Sequence, residues 1–113
     1  MDKTNLRAFE TTEALSNYPT DSELESHRRG RLDRNAAAAA FVCKKSTDGE
    51  HVSVLEIGSG SSGLLYALAE RDRLGRGMGI ELSRSRWQFA ELWKNDKGYN
   101  SVTNINANFA SVD

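Results

Sequence analysis

A chain of 113 residues with 38% hydrophobic side chains, 27% charged side chains and one proline has a globular make-up, neither disordered nor collagen-like. At this length it is one domain or part of one, able to bury roughly two thirds of its unfolded surface. A formal net charge of −1 gives no overall field for nucleic acid or an anionic membrane, so nucleic-acid binding is not indicated and any such contact must come from a local cluster. The lone Cys43 has no partner for an internal disulfide or a cysteine-based metal site, which fits a reducing compartment, and no metal centre is expected. The opening "MDKTNLRAFE" lacks the apolar core of a signal peptide. The longest apolar run, "AAAAAFVC", is far shorter than the ~20 residues of a membrane span. The chain reads as soluble and cytoplasmic.

In chain order, Leu6, Phe9, Leu15 and Tyr18 lie at a loose helical spacing broken by "ETTE" and predict a weak first helix. After Pro19, "TDSELE" holds two overlapping capping boxes, Thr20 with Glu23 and Ser22 with Glu25, which start a second helix. It is expected to run to about Lys45, with Leu24, Leu32, Ala36, Ala40 and Cys43 near helical multiples and Gly30 as its weak point. Residues 1–46 thus form an N-terminal helical segment. Its basic run "HRRGRLDR", with His27, Arg28, Arg29, Arg31 and Arg34, reads first as a solvated helix face partly neutralised by Glu23, Glu25 and Asp33, and second as a phosphate contact.

The polar turn "STDGE" marks the main boundary, and residues 47–113 change to an extended pattern. "HVSVLEIG" predicts a strand, "GLLYALAERDRL" a helix, Gly75 to Gly77 a turn, and "MGIEL" a short second strand. The apolar density of Val52, Val54, Leu55 and Ile57 suits a strand covered on both sides. Ser83 caps the next helix and Gly98 stops it, while Trp87, Phe89, Leu92 and Trp93 have the spacing of a face that covers the sheet. "SVTNINANF" predicts a third strand with Val102, Asn104, Asn106 and Asn108 on one face and Thr103, Ile105, Ala107 and Phe109 on the other, polar enough for a sheet margin. His51 stands at a strand entrance without an acid or cysteine to complete a ligand set, and Ser59, Ser61 and Ser62 lack the base a nucleophile needs.

The stretch "GSGSSG", Gly58 to Gly63, fits G-x-G-x-x-G between a predicted strand and helix, the context in which that motif cradles an anionic group. The first glycine allows a tight turn, the second lets a ligand approach, and the third lets helix and strand pack closely. A phosphate-binding P-loop is excluded, because the positions of its lysine and hydroxyl residue are Leu64 and Leu65. Glu81, 18 residues beyond Gly63 at the end of the second strand, suits the hydroxyls of a ribose. A dinucleotide site has the same spacing, and Glu56 separates the two readings. An ionised carboxylate there repels a pyrophosphate by about 1 kcal/mol at 4 Å in water, and more in a sheltered pocket. A ligand that carries an ammonium and a sulfonium is attracted instead.

On these residues, "VLEIGSGSSG" followed by "GIELS", the chain resembles the class I S-adenosylmethionine-dependent methyltransferases over roughly residues 50 to 110. The resemblance implies a Rossmann-like three-layer α/β/α sheet, of which only the first three strands are present, preceded by N-terminal helices. It implies that Glu56, Gly58, Ser59, Gly60 and Gly63 hold the methionine moiety of S-adenosyl-L-methionine, that Glu81 holds the ribose and that Leu82 borders the adenine. Asn108 stands where the family often has an aspartate facing the adenine amino group, and its amide oxygen can accept the same bond. The family's sheet order, 3-2-1-4-5-7-6, leaves the first strand with an open edge here, so the expected partners are a missing C-terminal half or a second chain, besides an unidentified methyl acceptor. Acceptor-side residues of the family usually follow the fourth strand, so no catalytic residue is named. An NAD(P)-dependent oxidoreductase unit and a non-catalytic methyltransferase-like interaction module are the alternatives.

Overall fold

The computed structural model describes residues 15–47 and 49–111. The helix expected from Leu6 and Phe9 falls mostly outside them, and within them Leu15–Asn17 forms a single 3-10 turn. Helix α1, Asp21–Arg34, starts where the capping box places it, with the Thr20 hydroxyl accepting from the Glu23 N–H at 3.1 Å. It does not run on to Lys45 as one helix. The break comes at Asn35, not at Gly30: the Asn35 N–H is shared between the carbonyls of Arg31 and Leu32, and its side-chain amide donates back to the Arg31 carbonyl at 2.8 Å. This local competition for a helical carbonyl ends one helix, and α2, Ala36–Lys45, begins directly after it.

Strand β1 is Val52–Ile57, helix α3 Gly63–Glu70, strand β2 Leu74–Glu81, helix α4 Arg84–Lys97 and strand β3 Val102–Asn106. The strands form one parallel sheet in the order β1-β2-β3, with Val54 opposite Gly77 and Gly77 opposite Val102. The Rossmann-like α/β architecture with its first three strands is as expected, and β3 lies at the sheet margin. The turn expected at Gly75 to Gly77 is absent, since those glycines lie inside β2, and the chain reverses earlier, at Asp72 with φ 54°. The glycines serve packing: a Cβ at Gly77 would stand 3.0 Å from a Leu74 methyl and 3.3 Å from one of Leu65. Ser83 caps α4, and Gly98 ends it in the left-handed region, φ 74°, as the sequence predicts.

Leu65, Tyr66 and Leu68 of α3, Phe89 and Trp93 of α4, Ala39 of α2 and Val102 of β3 make the core. Tyr66 stacks on Tyr99 at 4.5 Å and meets Trp93 edge-on at 4.7 Å, the offset and T-shaped geometries aromatic rings favour. Trp87 and Leu92 remain partly open, so only part of the expected aromatic face is core. The basic run is not simply a solvated face. Arg28 is buried, pairs with Asp96 at 3.1 Å and lies 5.8 Å from the Phe89 and Trp93 ring centres, pinning α1 to α4. Arg73 gathers the carbonyls of Glu50, Cys43 and Thr47 and the Ser46 hydroxyl, fastening the end of α2 to the start of β2.

The described helices pack on the sheet face of Val54 and Val102. On the opposite face Leu55 and Ile57 are more than half exposed, at 58% and 53%, and Met78 is also open. The expectation that β1 is covered on both sides is therefore not met by the described residues. No helix among them is long and apolar enough to cross a membrane.

Candidate functional site: a bipartite cleft at the strand ends

The C-terminal ends of β1 and β2 open onto two adjoining cavities that share Gly58 and Arg86. One, of about 330 Å³, is walled mainly by apolar groups, Ile57, Ile80, Leu82, Ala107 and Phe109, with Glu81 and Asn108 at its margin. The other, of about 230 Å³, is polar and is lined by Glu56, the loop Gly58 to Ser61, Gly63, Arg31 and Asn35. All eight residues expected to hold a cofactor, Glu56, Gly58, Ser59, Gly60, Gly63, Glu81, Leu82 and Asn108, lie along this cleft.

The loop is built on left-handed turns at Gly58, φ 73°, and Gly60, φ 60°, conformations that a side chain disfavours. A Cβ at either would meet no atom within 4 Å, so the backbone faces open space from which a ligand can approach. Gly63 has a different task from the one expected. Its missing Cβ makes room for the N-terminal segment, with Asn35 Nδ2 only 2.7 Å from where that atom would be. The close approach of loop to strand belongs to Gly79, where a Cβ would stand 2.6 Å from Ser59 Oγ. No sequence signal marked Gly79, because a strand glycine looks like a weak strand or a turn until its neighbour is known.

Glu81 accepts from the Gly60 N–H at 2.7 Å with Oε1 and from the Ser83 N–H at 2.9 Å with Oε2. It thus clamps the loop to the end of β2, and each oxygen keeps a lone pair for a ligand hydroxyl. Asn108 lies beyond β3, whose alternation stops at Asn106, and its side-chain oxygen accepts from the Ala110 N–H at 3.0 Å in the turn Phe109–Ser111.

Glu56 lies under the loop with Oε1 buried and without a hydrogen-bond partner among the described residues. Burial, reinforced by the charge of Glu81, pushes its pKa from 4.5 up to about 7. At neutral pH the carboxylate is therefore divided between its protonated and ionised forms. Sequence reading missed Arg31, Asn35 and Arg86, which bring positive charge and an amide to the same cavity. The basic run held Arg31 in plain view, but not its place against the loop, where Arg31 and Asn35 pack on Gly63. His51 has Asp72 at 3.5 Å, contrary to the expected lack of an acid, yet no group of three metal-ligating side chains occurs among the described residues.

The cleft thus joins an apolar slot with a carboxylate at its margin to a polar pocket lined by two arginines and a glutamate with a buried, unsatisfied oxygen.

No family model and no curated protein matches the sequence. Solved structures do match the fold. A Methanococcus maripaludis protein assigned as an S-adenosyl-L-methionine-dependent methyltransferase superposes with a TM-score of 0.63 at 12% identity, over 80% of this chain and 43% of its own. The plantazolicin methyltransferase BpumL, solved with SAH, superposes at 0.53 with 20% identity, over 98% of this chain and 45% of its own. The [4+2]-cyclase SpnF superposes at 0.57 with 19% identity, over 68% of this chain and 28% of its own. The chain thus has the fold of the class I S-adenosyl-L-methionine-dependent methyltransferases and spans less than half the length of these structures.

Proposed function

We propose that this chain forms the cofactor-binding portion of an S-adenosyl-L-methionine-dependent methyltransferase. The observation that carries the reading is Glu56: a carboxylate buried under a glycine loop with an oxygen that no described residue satisfies. Such a group favours a cationic ligand and opposes a diphosphate. Glu56 would take the ammonium, Arg31 the carboxylate of the same tail, Glu81 the ribose hydroxyls, and Leu82, Ile80 and Ala107 the adenine faces, with Asn108 at its edge. Bound there, the cofactor supplies an activated methyl group for in-line transfer to a nucleophile. The protein's share is alignment and exclusion of water, together with a base where the acceptor carries a proton.

The SAH bound to BpumL and the methyltransferase assignments of other neighbours support this reading. SpnF, a cyclase by name, favours a second reading in which the same cleft serves chemistry other than methyl transfer. Equilibrium dialysis with labelled S-adenosyl-L-methionine tests the binding both readings require: one equivalent is retained, displaced by SAH and not by NAD. Retention of NAD in its place overturns the proposal.

A further inference from the structure

Ser62 is the one non-glycine residue of the loop in the left-handed region, at φ 66° and ψ 28°, and it is fully buried. An L residue with a Cβ resists this conformation, and glycine does not. A serine at the N-cap of a helix ordinarily turns its hydroxyl back to an N–H of the first turn, but Ser62 makes no such bond at the start of α3. Its hydroxyl goes sideways, to the Asn104 side-chain oxygen at 2.5 Å. Asn104 is itself fixed: its amide donates to the Tyr66 hydroxyl at 3.0 Å, which donates to the Ala90 carbonyl at 2.5 Å, and its backbone carbonyl accepts from the Trp87 indole at 3.0 Å. Burial raises the Tyr66 pKa well above the ordinary phenol value, so the hydroxyl remains a donor.

Ser62 does not line the cleft, whereas its neighbours Ser61 and Gly63 do. A partly buried polar chain therefore runs from β3 and α4 to the back of the loop and holds, from behind, a backbone shape that the loop would otherwise tend to leave.

Resting on the cofactor reading above, we infer that Asn104 is a positioning residue which, through the Ser62 hydroxyl, holds the glycine loop in its ligand-receiving shape. The sequence assigned Asn104 only to a polar sheet margin, yet it links the third strand to the cofactor loop.

The test is calorimetric binding of SAH to the chain and to Ser62→Ala, Ser62→Gly, Asn104→Leu and the Ser62→Gly/Asn104→Leu pair, each well below its measured Tm. Ser62→Ala keeps the strain and loses the tether, so its affinity falls at least tenfold. Ser62→Gly loses both and stays within threefold of the parent. Asn104→Leu falls at least tenfold alone and by less than threefold in the glycine background. Equal losses in Ser62→Ala and Ser62→Gly, or an Asn104→Leu loss of the same size in both backgrounds, would overturn the inference. If Asn104→Leu does not fold, the alanine-against-glycine contrast at Ser62 decides alone. A parent chain that binds no SAH overturns the cofactor reading and this inference together, whereas a parent that binds while Ser62→Ala binds equally well overturns only the positioning role.

Discussion

Glu56 concentrates the chemistry of the cleft in one side chain. Its folded pKa, raised to about 7 from 4.5, means that between those values the folded chain holds a proton which the unfolded chain has released. This contribution to stability is fully present below about pH 4.5 and is lost as pH rises through about 7. The gap in Tm between Glu56→Gln and the parent, without ligand, therefore moves in favour of the variant from pH 5 to pH 8. A gap that does not change with pH would show that the carboxylate is not perturbed. The sequence showed where Glu56 stands but not its environment, because the cavity it shares with Arg31, Asn35 and the loop is assembled by long-range packing. The same limit hid Arg31, legible as a charge but not as a wall of the cleft.

Among the secondary-structure elements, two glycines have opposite duties. Gly30 lies inside α1, where an added Cβ would meet nothing within 4 Å, so Gly30→Ala should stabilise the fold by about 0.5–1 kcal/mol through helix propensity and unfolded-state entropy. Gly63→Ala would drive a methyl group against Asn35 Nδ2 and break its bond to the Arg31 carbonyl, costing about 1 kcal/mol. Thermal denaturation should show Tm moving up for the first and down for the second, and a rise for Gly63→Ala would contradict the packing of Asn35 on the loop. Caps and stops were readable at Thr20, Ser83 and Gly98, where the signal is local. Asn35 and β2 were not: a helix interrupted by side-chain back-bonding and a strand rich in packing glycines both run against simple propensity, and tertiary contacts outweigh it.

For the molecule as a whole, the described helices protect one sheet face and leave Leu55, Ile57 and Met78 open beside an edge of β1 that no described strand pairs. An apolar face next to unpaired strand hydrogen-bonding groups favours association. Light scattering on the isolated chain should give a mass above the monomer that rises with concentration, and Leu55→Lys with Ile57→Lys should return it toward 12.5 kDa. A parent chain that stays monomeric across that range would contradict this. The order of the strands was available only from the resemblance to the methyltransferase family, while alternating strand and helix patterns made a parallel α/β sheet legible. The bare face was not, since apolar density in β1 reads alike whether a second layer covers it or not.

The cofactor reading is decided by a pair of titrations, SAH and NAD, into the parent chain and Glu56→Gln at pH 8, where the parent carboxylate is mostly ionised. The parent is expected to bind SAH in preference to NAD, and the substitution to weaken SAH at least tenfold without weakening NAD. Tighter binding of NAD by the parent, or SAH affinity indifferent to the loss of this one charge, would refute that reading.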